Sequence, residues 1–186
     1  PEGQSTTIVR DVYGAPTVLN RQGLWNGTNL AVSRHYLYDV HRRLCASIEP
    51  ETGATVMQYD AASNVTWSAA GTSSADGNRF TDCGLARDAA EFSGRRVDRT
   101  YDTRNRPLTL SFPDGRGNQS FTYTLDGLPS QVTTNNSAGG TTVVNGYTYN
   151  RRRMLTAETM NQVGWYTWQI GYGYDTLGNL ASQSYP

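Results

Sequence analysis

A tyrosine followed by an aspartate-like residue returns along this chain at a nearly constant interval. The tyrosines of these pairs are Tyr38, Tyr59, Tyr101, Tyr123, Tyr149 and Tyr174. The steps between them are 21, 42, 22, 26 and 25 residues, so one step is about twice the others. A weaker copy without the tyrosine precedes them, with Asp11 in the aspartate position. Repetition at this period predicts an architecture in which each unit packs on its neighbours along the chain.

Each copy is predicted to be two β-strands joined by a tight turn. Tyr36 and Tyr38 are separated by one residue, and Phe121 and Tyr123 repeat this spacing, which places both rings on one face of a strand. Short β-prone stretches such as LTLSF follow the turns. Only 37% of the 186 residues are apolar and 19 are glycine, a composition that favours a half-exposed pleated sheet over helices.

The turn has a recognisable chemistry. Its first residue is Asp11, Asp39, Asp60, Asp102, Asn150 or Asp175, with Thr124 in the remaining copy. The side chain there can accept backbone N–H groups within a type I turn. The fourth residue needs a left-handed backbone and is Gly14, Gly127, Gly178 or Asn105. Arg42, Ser63 and Arg153 depart from this rule, so their turns are expected to be either built differently or mildly strained.

A second kind of turn is predicted at the other end of the hairpins. Pro50 is followed by Gly53, and Pro113 by Gly115, each proline lying 12 residues after a repeat tyrosine. The predicted fold is therefore all-β, with antiparallel hairpins forming a continuous curved or spiral sheet. Residues 1–186 are interpreted as one array of about seven to eight hairpin units.

Two segments interrupt the pattern. Residues 68–96 fill the double-length step with small and polar residues, and are interpreted as a degenerate repeat or surface insertion in which LARDAAEF forms a short helix. Residues 133–142 are interpreted as a longer hairpin connection. Cys45 and Cys83 are too few to form a disulfide scaffold, and two unpaired thiols are favoured over a bridge.

Charge and composition exclude several classes of function. The chain has 16 basic and 16 acidic residues, which argues against a nucleic-acid partner, and no run approaches the roughly 20 apolar residues of a membrane span. No secretory leader is recognised, and the absence of an initiator methionine suggests a piece of a longer protein.

No catalytic or cofactor site is predicted. His35, His41 and Cys45 do not have the spacing of a zinc site, and residues 76–82 resemble a calcium loop only faintly. A repeated pair spreads identical groups along a sheet, whereas an active site brings unlike groups together, so an enzyme is not expected. The tyrosines are expected to pack between strands, with glycan binding on an exposed sheet face as the alternative.

The motifs YLYDVHRRLCASIEPETG, YDTRNRPLTLSFPDG and YGYDTLGNLAS resemble the YD repeats of the Rhs family. The resemblance covers nearly the whole chain and is weakest at residues 68–96. It implies a spiral β-sheet that closes into a shell around a C-terminal toxin or effector, as in bacterial polymorphic toxins and toxin complexes, with related shells in teneurins. It further implies a secreted or cell-surface protein whose partners are the rest of the shell and the enclosed domain. Open sheet edges at both ends predict that the isolated segment either self-associates or depends on partner chains.

Overall fold

The computed structural model describes residues 3–73, 80–136 and 140–186. Within these ranges fourteen antiparallel strands form one sheet, and the order of strands in the sheet is their order in the chain. The prediction of a repetitive all-β hairpin sheet is confirmed. The strands are β1 (Ser5–Arg10), β2 (Pro16–Trp25), β3 (Thr28–Tyr38), β4 (Leu44–Glu49), β5 (Gly53–Tyr59), β6 (Val65–Thr72), β7 (Arg96–Tyr101), β8 (Pro107–Ser111), β9 (Arg116–Tyr123), β10 (Pro129–Asn136), β11 (Val143–Tyr149), β12 (Leu155–Gln162), β13 (Tyr166–Tyr174) and β14 (Leu180–Ser184).

One helix, α1 (Cys83–Glu91), lies between β6 and β7 in the described part of the chain. It begins at Asp82, whose carboxylate accepts the N–H of Leu85 at 2.9 Å, the usual cap of a helix N-terminus. The helix expected in LARDAAEF is therefore present and starts two residues earlier. None of the described helical residues forms a segment long and apolar enough to cross a bilayer.

The chain divides into two compact units, residues 1–97 and 98–186. The first unit contains the well-buried core, where α1 packs on β4, β5 and β6. The buried side chains under and around the helix are Cys45, Ala46, Ala54, Val56, Trp67, Ala69, Phe80, Ala86 and Ala90. Ala86 and Ala90 are both 0% exposed, so α1 approaches the sheet through its smallest residues.

A disulfide joins Cys45 on β4 to Cys83 at the start of α1, with 5.8 Å between the Cα atoms. The preference for two unpaired thiols was wrong. Spacing along the chain could not reveal the bridge, because a 38-residue excursion that includes β5 and β6 brings the two cysteines together. Closing a loop of that length restricts the unfolded chain and contributes about 4 kcal/mol in the chain-entropy model.

The second unit is organised differently, since none of the described side chains in residues 98–186 is fully buried. On one sheet face, cross-strand hydroxyl pairs lie close together. Thr100 contacts Thr109 at 2.6 Å and Thr122 contacts Ser130 at 2.8 Å, measured between side-chain oxygens. The opposite face carries the aromatic residues, including Phe121 and Tyr123.

The two irregular segments are only partly as predicted. Residues 68–72 continue β6 and Arg96 begins β7, so the helix-bearing connection is shorter than 68–96, and residues 74–79 lie outside the described ranges. Residues 133–136 belong to β10 rather than to a connection. Polar residues of β10 were mistaken for a loop because one face of this sheet is itself polar.

We expect Val56→Ala to lower the free energy of unfolding by about 2 kcal/mol, because it removes two methyl groups from a site under the helix. Val56 is 1% exposed. The matched control is Val40→Ala, at a turn position that is 93% exposed, where a change below about 0.5 kcal/mol is expected. Urea denaturation of both variants measures the difference, and equal effects would contradict the location of the core.

Candidate functional site

The repeated turns all lie at one end of the hairpins and form what we call the turn ladder. Its seven members are residues 11–15, 39–43, 60–64, 102–106, 124–128, 150–154 and 175–179. In every member the first residue donates its N–H to the carbonyl of the fifth, and the fourth donates to the carbonyl of the first, at 2.8–3.1 Å. A register shift follows in the flanking strands of each hairpin. This agrees with the predicted type I turn closed by a left-handed fourth residue, and the register shift adds a β-bulge that was not predicted.

The first side chain holds the turn by accepting backbone N–H groups. Asp39 Oδ1 accepts the N–H of His41 and of Arg43, each at 2.9 Å. Asp11, Asp102 and Asp175 bind the third and fifth residues of their turns in the same way. Asn150 Oδ1 repeats the pattern without a charge. The turn therefore requires an acceptor at its first place, and a carboxylate is one of several groups that provide it.

The departures at the fourth place do not alter the turn. Arg42, Ser63 and Arg153 have φ of 64°, 69° and 64°, in the same left-handed region as the glycines of the other turns. A non-glycine residue there costs of order 1–3 kcal/mol unless its surroundings compensate. Two of these side chains do bind the preceding turn: the guanidinium of Arg42 lies 3.8 Å from the ring centroid of Tyr13, and Arg153 donates to the carbonyl of Asp126 at 3.3 Å.

Tyrosine hydroxyls connect successive members of the ladder. Tyr38, just before the turn at 39–43, donates to the carbonyl of Pro16, the residue immediately after the turn at 11–15, at 2.9 Å. Tyr59 makes the equivalent bond to Leu44 at 2.7 Å. Two further bonds of this kind run from Tyr123 to Pro107 at 2.8 Å and from Tyr174 to Leu155 at 2.7 Å.

Arginine at the fifth place strengthens the same connection. Arg43 donates from Nε to Asp39 Oδ2 and from Nη1 to the carbonyl of Asp60, both at 2.8 Å, while its guanidinium lies 4.7 Å from the ring centroid of Tyr59. It therefore contacts its own turn, the next tyrosine and the next turn. Arg106 repeats the stacking over Tyr123 at 4.2 Å. The planar guanidinium suits this combination of hydrogen bonding and ring contact.

These contacts shift the acidity of the ladder carboxyls. The pKa values are lowered at Asp39, Asp60, Asp102 and Asp175. At Asp39, burial works against ionisation, but hydrogen bonds from the backbone and side chain of Arg43 outweigh it and lower the pKa. At Asp102, the backbone N–H of Arg106 is the leading cause of the lowered pKa. Burial raises the pKa of the Tyr59 phenol, which keeps its hydroxyl protonated as a donor.

The other predicted motif residues lie where turn chemistry placed them. Gly53 and Gly115 have φ of 79° and 71° at the opposite ends of the hairpins from the ladder, after Pro50 and Pro113. At Gly53 a Cβ would approach the carbonyl oxygen of Thr72 to 2.9 Å, so glycine is required there for space as well as conformation. Asn105 and Gly178 occupy left-handed fourth places, with φ of 59° and 91°.

The histidines and the cysteine considered as metal ligands do not form a common site. His35 lies in β3 and His41 in a ladder turn, while Cys45 is committed to the disulfide. In the described residues no group of three or more His, Cys, Asp or Glu side chains could hold a metal ion. Most of the 76–82 segment lies outside the described residues.

Sequence reasoning missed the tyrosine bonds and the arginines of the fifth place. A signal for the second was present, because the fifth residue is Arg43, Asn64, Arg106 or Asn179 in four of the seven turns. All four donate from the side chain to the second oxygen of the aspartate. The tyrosine bonds join neighbouring strands through residues that are 15 to 22 positions apart in the chain, and they carry no local signature.

The aromatic face of the second unit contains a cavity of about 340 Å³. Its lining is Pro107, Phe121, Tyr123, Pro129, Val132, Tyr147 and Tyr149. The register pairs Phe121 with Val132 and Tyr123 with Pro129, so rings and aliphatic groups alternate across neighbouring strands. The predicted packing of the tyrosines between strands is present here, in a cavity that still opens to solvent.

No family model matches the sequence, and no curated protein is similar to it in sequence. Solved structures do share the fold. A chain in the Tc holotoxin pore of Photorhabdus luminescens, which carries a mutation in TccC3, aligns with 98% of this chain at 14% identity and a TM-score of 0.59. A chain in a TcdB2-TccC3-Cdc42 crystal structure aligns with 98% at 13% identity and a TM-score of 0.52. In both cases this chain spans about 10% of the length of the solved chain.

We expect Tyr59→Phe to lower the free energy of unfolding by about 1 kcal/mol, because the carbonyl of Leu44 loses its donor while the ring remains. The control is Tyr13→Phe, which keeps the ring beneath Arg42 at a side chain that is 66% exposed. Its expected effect is below about 0.5 kcal/mol. Chemical denaturation of the two variants separates them, and a Tyr59→Phe protein as stable as the control would show that the hydroxyl bond does not stabilise the ladder.

The lowered pKa values predict a loss of stability in acid. A folded-state pKa below the unfolded value means that the contribution is complete above about pH 4, the unfolded aspartate value, and disappears as pH falls through the folded pKa. Asp102→Asn keeps an oxygen acceptor for the backbone but removes the charge facing Arg106, so its stability should fall less steeply in acid than that of the parent.

Asn150→Asp is the matched reverse change, because Asn150 already accepts the same two backbone N–H groups. It should steepen the acid loss. Thermal unfolding followed from about pH 6 to pH 2 tests both variants. If stability falls with pH as steeply in both variants as in the parent, the carboxyls are not the source of the acid loss.

Proposed function

We propose that this chain is a wall segment of an Rhs/YD-repeat β-shell that encloses a C-terminal toxin or effector of a larger bacterial protein. The observation that carries this proposal is the turn ladder, in which tyrosine and arginine side chains bond neighbouring turns within each of the two units. Such a sheet grows by adding hairpins at its end, and its length is set by the number of repeats. A barrier needs this property, whereas a binding pocket does not.

The role would be steric rather than catalytic. The ladder arginines are used within the wall, as Arg43 and Arg106 are, and the chain carries no net charge. A neutral, partly polar wall can confine a folded domain without binding it tightly. The shared fold with a tenth of a Tc toxin chain supports a segment of a large assembly, and by that likeness we propose a secreted or cell-surface parent.

The partners would be further repeats of the same shell and the domain that it encloses. Among the described strands, β1 pairs with β2 alone and β14 with β13 alone, so each presents a free edge. An unpaired edge is a template for another strand. In the parent we propose that neighbouring repeats occupy these edges, and in the isolated segment a second copy can do so.

Glycan binding is a second candidate, favoured by the open aromatic cavity of the second unit. Rings can stack on sugars, but the Tyr123 hydroxyl already donates to Pro107. Binding to a glycan array by the folded protein, lost on Tyr147→Ala, would support this candidate, and a blank array would remove it.

The shell hypothesis is tested on the full-length parent protein. Electron microscopy should show a hollow particle, and the enclosed domain should resist protease until the wall is opened. Tyr59→Ala should increase cleavage of the enclosed domain because it breaks a connection between turns, while the control Tyr166→Ala, at a strand tyrosine that is 52% exposed, should not. A solid or filamentous particle, or an enclosed domain that is equally cleaved in all three proteins, would overturn the proposal.

A further inference from the structure

Helix α1 covers the only described group of fully buried side chains, and its own packing is weak. The helix has nine residues, a length at which an isolated helix does not persist in water. The large apolar side chains within the helix and directly after it are mostly exposed, since Leu85 is 55% and Phe92 88% exposed, whereas Phe80, three residues before the helix, is buried. Only the methyl groups of Ala86 and Ala90 are completely buried against the strands.

The disulfide attaches the helix to the sheet more firmly than its side-chain packing does. Cys83 is the first residue of α1, and its bridge to Cys45 fixes the helix N-terminus against β4. The surface beneath is apolar and unlike the rest of that face: Ala46, Val56 and Trp67 are each at most 6% exposed. If the helix left, these side chains would meet water.

Access to the two sulfurs is unequal. Cys45 is 4% exposed, whereas Cys83 is only partly buried at the end of the helix. A thiolate must approach a sulfur directly to exchange with a disulfide, so attack is favoured at Cys83.

We propose that the Cys45–Cys83 disulfide is a redox-controlled clasp, and that a dithiol reductant releases α1 and uncovers the apolar face of β4–β6 without unfolding the turn ladder of residues 98–186. A reductant thiolate attacks Cys83 Sγ and forms a mixed disulfide. Cys45 leaves as a thiolate and takes up a proton. The second reductant thiol then attacks the mixed disulfide and frees Cys83, so that two electrons reduce the bridge and the reductant becomes a disulfide. This inference does not rest on the proposed shell.

Hydrogen exchange of the whole chain, followed by mass spectrometry with and without dithiothreitol, tests the clasp. We expect exchange in residues 44–72 and 83–91 to increase by at least about tenfold on reduction, with residues 98–186 changing less than about twofold. Reoxidation should restore the original pattern. The double variant Cys45→Ser with Cys83→Ser should resemble the reduced protein and be insensitive to dithiothreitol.

Two outcomes would overturn the clasp. Unchanged exchange in 44–72 and 83–91 after confirmed loss of the disulfide would show that packing alone holds the helix. Equal acceleration in both units would show that the bridge supports the whole fold instead of one cover. Because the wild-type protein is reduced after folding, the test does not depend on whether the double variant folds.

Discussion

The bond from a tyrosine hydroxyl to the carbonyl that follows the preceding turn is the interaction on which the arrangement of repeats depends. A β-hairpin is positioned by its own turn. Backbone hydrogen bonds hold neighbouring hairpins side by side, but they oppose a slip of two residues only weakly. Tyr59, with its hydroxyl on Leu44 and its ring beneath Arg43, joins two turns through one residue. The hydrogen bonds of Asp39 to Arg43 matter because they hold the turn that presents the Leu44 carbonyl and the Arg43 guanidinium to Tyr59.

The two faces of the sheet have different roles in different parts of the chain. In the second unit, the face opposite the tyrosines carries hydroxyl pairs such as Thr100 and Thr109, whose side chains hydrogen-bond to each other. In the first unit the corresponding positions hold Leu37 with Ala46, and Val56 with Ala69, as the register shows. Apolar residues there require a cover, and α1 supplies it. The insertion is therefore explained by the strands beneath it rather than by its own sequence.

What could be predicted from the sequence is what short-range chemistry decides. The spacing of Tyr38 and Asp39 and the glycines of the fourth place specify strand, turn and bulge, because each depends on a few adjacent residues. The disulfide and the helix packing could not be predicted, since Cys45 meets Cys83 only after two intervening strands have folded. Arg42 lay between these cases. A strained left-handed backbone was one of the two alternatives that its position left open, and its contact with Tyr13 belongs to the neighbouring turn.

The tyrosine bond also helps to fix the register of neighbouring strands. A slip of two residues between neighbouring strands leaves every side chain on its proper face and restores the backbone hydrogen-bonding pattern between the strands. The backbone pairing of the sheet therefore opposes such a slip only weakly. The same slip would carry the hydroxyl of Tyr38 about 7 Å from the carbonyl of Pro16, too far for a hydrogen bond. A slip at any of the four strand pairs that carry such a bond therefore costs a hydrogen bond, which limits the accumulation of alignment errors along the sheet.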